Sequence, residues 1–216
     1  MMNAESRRVH RVSDAARSEP ALPIWVPLAF FFSGFAALIY QVVWQRALYG
    51  IFGITIESVT VVVTAFLLGL GLGSLVGGAV SERPGRALML FALAELSIAC
   101  FGAVSLSLFR WVGTLLLRSP LATTSVATVA LLLIPTLLMG MTLPLLTAHA
   151  VSISRNVGQS VSLLYFVNTA GSAIAAMASV AVFLPLLGMR RSVLVAVAVN
   201  VLVGTMVLLA DRVSHR

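Results

Sequence analysis

No lysine occurs among the 216 residues, and only 10% of them are charged, against about 25% in an ordinary soluble domain. So few charges cannot cover the surface of a soluble fold of this length. Cysteine is nearly absent too. The lone Cys100 excludes an internal disulfide, and neither a zinc spacing nor a C-x-x-C redox pair is present. Aromatic residues make up 8% of the chain and form no basic stripe on which bases could stack. The formal charge of +7, all of it from arginine, therefore does not indicate nucleic acid. His10, His149 and His215 lack partners at metal-ligand spacing. No G-x-S-x-G elbow, Walker loop or dinucleotide fingerprint appears. The sequence predicts no catalytic residue, no metal ligand and no cofactor, and so no enzyme.

What is abundant is apolar: 60% of the residues, grouped into long runs. Crossing about 30 Å of hydrocarbon takes roughly 20 apolar residues in a helix. Six segments qualify, at 24–48, 56–80, 87–109, 122–148, 159–187 and 191–210. The expected fold is all-α, a bundle of six transmembrane helices, with the lipid bilayer as its first partner. Residues 1–22 read as a disordered, Arg-rich tail, 23–211 as the membrane domain and 212–216 as a short second tail. Pro135, Pro144 and Pro185 predict tilts or kinks in the long fourth and fifth spans. Trp25, Trp44 and Trp111 fall near span ends, where amphipathic rings prefer to sit. With the N-terminus inside, nine arginines lie on the cytoplasmic side (Arg7, Arg8, Arg11, Arg17, Arg83, Arg86, Arg155, Arg212 and Arg216) and five opposite (Arg46, Arg110, Arg118, Arg190 and Arg191). That excess places both termini in the cytoplasm.

Three sets of residues stand out within the spans. Gly69, Gly73 and Gly77 recur every four residues and so share one helix face, as do Gly171, Ala175 and Ser179. Such smooth faces let helices approach closely in lipid, and they suit a static contact or a sliding surface in a moving transporter. A second set is polar: Glu95, Asn168 and Asn200 fall deep in the third, fifth and sixth spans, and Gln41 and Gln45 share a face of the first. Buried in lipid, such groups must be paired or face a cavity. Two readings fit them, interhelical hydrogen bonds that hold the bundle or a polar site near the midplane, with Glu95 as a proton carrier or cation ligand. Arg46 and Glu57 flank the first outer turn and are expected to pair. The third set is the turn Gly77-Gly78-Ala79-Val80-Ser81-Glu82-Arg83-Pro84-Gly85-Arg86, which resembles the charged loop between the second and third helices of major-facilitator transporters. It also suits an ordinary charged turn.

The runs FFSGFAALIYQVVWQRAL (30–48), ESVTVVVTAFLLGLGLGSLVGG (57–78), ALAELSIACFG (92–102), IPTLLMGMTLPLL (134–146), LLYFVNTAGSAIAA (163–176) and FLPLLGMRRS (183–192) resemble the membrane region of the bacterial fused major-facilitator-like/spermidine-synthase proteins. The resemblance spans about residues 28–210 and implies that Gln41, Trp44, Gln45, Arg46, Glu57, Glu95, Pro135, Pro144 and Asn168 belong to a family pattern. It implies a bacterial inner membrane and a module resembling half a major-facilitator transporter, built as a 3+3 inverted repeat. The faint parallel between Pro84-Gly85-Arg86-Ala87 and Gly188-Met189-Arg190-Arg191 fits such a repeat. The family's soluble aminopropyltransferase-like domain has no counterpart in these residues, so its activity is not carried over. Two functions are expected from different classes. One is a transporter-like module for a small, cationic, polyamine-like solute. The other is a non-transporting anchor or structural subunit, serving a larger membrane complex or a separate aminopropyltransferase-like enzyme. A homodimer or a hetero-complex with other membrane or soluble subunits is expected in either case, because half a transporter does not enclose a pathway alone.

Overall fold

The computed structural model describes residues 22–52, 56–82 and 85–214. Its elements are α1 (Trp25–Phe52), α2 (Ile56–Ser81), α3 (Ala87–Leu115), α4 (Leu121–Ser154), α5 (Val157–Ala178), a widened π-helical stretch (Ser179–Leu187) and α6 (Gly188–Ser214). There is no strand among the described residues. The expected N-terminal tail, except Leu22, lies outside them, as do Arg83 and Pro84 of the charged turn and the side chain of Glu57. The short tail expected from residue 212 is still helical, since α6 continues to Ser214.

Five helical stretches are long and apolar enough to cross a membrane: Trp25–Gly50, Val59–Ser81, Ala87–Leu115, Ala122–Ser154 and Val157–Arg212. They fit a polytopic membrane protein. Six separate helices were expected; instead, the fifth and sixth expected segments run together as one helical stretch of 56 residues. The physical reason is local. Pro185 offers no N–H, and its ring crowds the carbonyl of Ala181, so the helix widens into π-type turns rather than ending in a loop. Gly188 follows with φ +72, a conformation that suits glycine.

The stretch is not straight. Asn168 bonds the carbonyl of Phe30, and Asn200 bonds Glu95, which is bonded by Ser33. Both asparagines thus lie level with residues 30–33 of α1, although 32 residues of continuous helix would separate them by about 48 Å. The directions of the helices agree. Phe30 and Gly34 meet Asn168 and Ser172 in rising order, so α1 and α5 are parallel. Ser33 meets Glu95 and Trp44 meets Ser105, so α1 and α3 are parallel too. Asn200 lies by Glu95 and Gly204 by Ala92, so α6 runs against α3, and hence against α5. The chain turns back near Gly188.

Close contact is made where side chains are missing. A Cβ on Gly69 would strike the Thr136 side chain, one on Gly73 the Leu137 carbonyl, and one on Gly77 Pro144 and Met141. Gly140 of α4 answers them, lying against the backbone of Leu70. In α5, Gly171 sits on the Phe31 backbone and Ala175 is fully buried, while Gly34 of α1 lies against Asn168. The α2–α4 and α1–α5 pairs are therefore built alike. Trp44 departs from its expected place at the membrane boundary. It is fully buried, stacked on Tyr40 at 4.8 Å, with its Nε1 donating to Ser105 Oγ at 2.9 Å. Its indole N–H finds a partner inside the bundle, so water is not needed to satisfy it. Trp111 is exposed, and Trp25 packs beside His149.

Gly73→Ala is expected to destabilise the protein by about 1–3 kcal/mol, because the added carbon meets backbone rather than a movable side chain. Gly71→Ala, with open space around it, is expected to be neutral or slightly stabilising. Thermal denaturation in detergent checks the pair, and equal melting of the Gly73 variant and the parent would refute the contact.

Candidate functional site

Glu95 is the only acidic side chain that is buried among the described residues, and its burial is complete. It sits two turns into α3, on the face bearing Leu88, Phe91, Ala92, Ile98 and Ala99. A carboxylate there must be supplied with hydrogen bonds by the protein. Ser33 of α1 donates its hydroxyl to Oε1 at 2.5 Å, and Asn200 of α6 donates its amide to Oε2. Both oxygens are thus held by groups from two other helices. The triad fixes the heights of α1, α3 and α6 relative to one another.

Ser33 and Asn200 also line a cavity of about 330 Å³, together with Gln41 of α1, Asn168 and Ser172 of α5 and Thr142 of α4. Glu95 lies directly behind the two residues that bind it. The direction of the hydrogen bonds decides what this wall presents. The Ser33 proton goes to Glu95, the Ser172 proton to the Gly34 carbonyl at 3.1 Å and the Thr142 proton to the Met139 carbonyl at 2.7 Å. One amide proton of Asn168 is held by the Phe30 carbonyl at 3.2 Å. Asn200 Oδ1 is buried with no donor. The hydroxyls of Ser33, Ser172 and Thr142 have used their single protons within the protein, and their lone pairs remain for a guest, whereas Ser74 and Tyr165, also on the cavity wall, keep theirs. The protons left over are those of the Ser74 and Tyr165 hydroxyls and amide N–H groups of Gln41, Asn168 and Asn200. Phe30, Phe66, Leu70, Ile98, Met139 and Leu143 make up an apolar remainder. Such a wall, rich in acceptors and backed by a carboxylate, suits a small guest that carries positive charge and donates hydrogen bonds.

Of the five polar residues singled out in the sequence, four gather here: Glu95 and Asn200 bond directly, and Asn168 and Gln41 share the cavity. Gln45 does not join them. One helical turn further along, it lies in a separate groove with Arg46, Tyr49, Val180 and Leu184, and its amide donates to the Tyr49 hydroxyl. Gln41 and Gln45 share a face of α1 but not a site, because α1 passes from the cavity to that groove within a turn. The Arg46–Glu57 pair falls on a side chain outside the described residues. The glycines expected as packing faces, Gly69, Gly73, Gly77 and Gly171, all lie against neighbouring helices within this chain. Sequence reasoning missed Ser33, Ser172 and Thr142. Serine and threonine are common in apolar helices, where they bond their own backbone, so composition alone did not separate these from Thr136 or Ser105.

Replacing Asn200 by Leu leaves Oε2 of Glu95 buried without a donor, at an expected loss of about 1–3 kcal/mol. Combined with Glu95→Leu, the second change is expected to cost much less than it does alone. A double-mutant cycle read by thermal denaturation measures this coupling; additive losses would mean that the two side chains act independently.

The chain matches no protein-family model, no curated protein and no solved structure.

Proposed function

We propose that this protein is a transporter-like module for a small organic cation, with the Glu95–Ser33–Asn200 triad as the centre of its binding site. The single observation that carries this reading is the cavity wall, where the lone pairs of Ser33, Ser172 and Thr142, whose protons are held within the protein, stand in front of a buried carboxylate. A cavity of about 330 Å³ is at the lower end of small-molecule sites and roomy for a bare metal ion. An amine-bearing solute, including the polyamine class implied by the sequence resemblance, has the right charge, donors and apolar methylenes. The resemblance to bacterial fused major-facilitator-like/spermidine-synthase membrane regions, and the inner membrane it implies, belong to this proposal.

In this reading the chain crosses the membrane six times, with Val157–Arg212 making two passes that meet near Gly188. The two halves, α1–α3 and α4–α6, form an inverted repeat. Several features support it. The α2–α4 contact has a counterpart in α1–α5, both parallel and both made through glycine, and the α3–α4 contact has one in α1–α6. The contact between α3 and α6 corresponds to itself, and it carries the Glu95–Asn200 bond. Gly85 before α3 and Gly188 at the start of α6 share positive φ, +76 and +72. Midplane sites at the interface of repeats are a common plan for transporters. A second copy, or another subunit, would complete a pathway that one such half leaves open at the side.

The alternative is a non-transporting anchor or structural subunit. Gly69, Gly73, Gly77 and Gly171 lie against helices of the same chain, which leaves those faces no room for a partner and favours the transport reading.

Two measurements follow. In a Cys100→Ala background, single cysteines at Gln159 and Arg212 are expected to react with an impermeant thiol reagent from one side of the membrane, and one at Met189 from the other. Labelling of Gln159 and Arg212 from opposite sides would exclude the two-pass arrangement. Reconstituted in liposomes, the protein is expected to move a labelled linear diamine, with Glu95→Gln cutting the flux by about tenfold or more as the loss of a charge-assisted contact. Gln45→Ala, outside the cavity, is expected to leave it unchanged. Diamine flux indifferent to Glu95→Gln would reject the site.

A further inference from the structure

A second recess lies at the far end of the bundle from the chain termini, where the last turns of α3 meet the first turns of α6. Its volume is about 610 Å³, and its walls include Arg110, Arg190, Leu106, Leu187, Met189 and Leu194. The Nε of Arg110 donates to the Leu106 carbonyl at 3.2 Å, which pins the base of that side chain along α3. Among the described residues neither guanidinium has a carboxylate partner. Two guanidinium groups that line one recess, neither paired with a carboxylate among the described residues, attract an anion to it.

The depth of the recess identifies which anion. Asn200 stands near the middle of α6, and Arg190 precedes it by ten residues, or about 15 Å along the helix. Arg110 follows Glu95 by fifteen residues, or about 22 Å. With the Glu95–Asn200 level at the bilayer midplane, as the six-pass arrangement proposed above has it, a half-core of about 15 Å puts the two guanidinium groups at the level of lipid headgroups. Toward mid-depth the wall is apolar, formed by Leu106 one turn before Arg110 and Leu194 one turn after Arg190, as an acyl chain requires, and Leu187 closes the recess at the turn. A planar guanidinium matches two phosphate oxygens at once.

We propose that this recess is a binding site for an anionic phospholipid, its phosphate bridged by Arg110 and Arg190 and an acyl chain laid against Leu106, Leu187 and Leu194. The site is independent of the Glu95 cavity and joins the ends of α3 and α6, the two helices that the Glu95–Asn200 bond holds at mid-depth.

The test uses the full chain in detergent, with native mass spectrometry counting bound lipid when phosphatidylglycerol or phosphatidylcholine of matched acyl chains is added. Phosphatidylglycerol is expected to be retained in preference. Arg110→Gln with Arg190→Gln should lower its retention by about tenfold, the effect of losing charge-assisted hydrogen bonds, whereas Arg212→Gln at the opposite end should not. Leu194→Trp keeps both arginines and narrows the apolar wall, so it should weaken lipid retention while the protein still elutes as the parent does. Equal retention of the two lipids, or a double variant that holds phosphatidylglycerol like the parent, overturns the proposal. Displacement of the lipid by inorganic phosphate, with Leu194→Trp silent, would assign the recess to a free anion and overturn the lipid reading as well.

Discussion

A carboxylate in the middle of an apolar bundle must receive its hydrogen bonds from the protein, since no water competes for the task. Glu95 meets this demand through Ser33 and Asn200, each from a different helix. The consequence reaches well beyond one side chain. Sliding α1 or α6 by a single turn would strip a donor from a buried oxygen, so the triad sets the register of three helices. Apolar packing alone specifies register weakly in lipid, where helices gain little by hiding leucine from a solvent that is itself apolar. Directed hydrogen bonds supply what dispersion forces cannot.

The remaining helices are placed by a different device. The α2–α4 and α1–α5 contacts are made where Gly69, Gly73, Gly77, Gly140, Gly34 and Gly171 bring backbones together. At that range many weak contacts act at once, and Pro144 fits against Gly77 rather than disrupting the pair. These two glycine contacts flank the cavity and leave it open between them. The cavity exists because the close contacts lie to its sides and the polar triad lies behind it. Rigid backbone contact and a hydrogen-bonded wall keep the cavity from collapsing onto its polar groups.

Much of the fold was legible from composition. Long apolar runs define helices that must satisfy their own backbone, and the observed starts of α1 to α3 lie within one residue of those expected, while α1 and α3 run four and six residues further at their ends. The sites that failed to follow from pattern have identifiable causes. Pro185 was expected to kink a helix; it lies in a widened π-type stretch that carries one helical run through both expected segments, and the chain turns back at Gly188. Trp44 looked like an interfacial residue because it falls near the end of the first expected span, but its burial depended on Ser105, 61 residues away. Gln41 and Gln45 share a helix face in the sequence, yet only the neighbours of α1 decided that the first lines the cavity and the second the groove beside Tyr49.

The sequence by itself determined that the chain is helical, that it is built for an apolar solvent, and that Glu95, Asn168 and Asn200 needed partners. Those conclusions rest on local quantities: hydropathy, glycine spacing and the cost of burying a polar group. Tertiary structure decided which partners they found, and in which direction each proton points. Ser33 is an unremarkable serine in the sequence; placed opposite Glu95 it becomes a donor to a buried carboxylate. The difference is physical. Burial cost is a property of one residue, whereas a hydrogen bond between residues 33 and 95, or 95 and 200, exists only after the helices have packed.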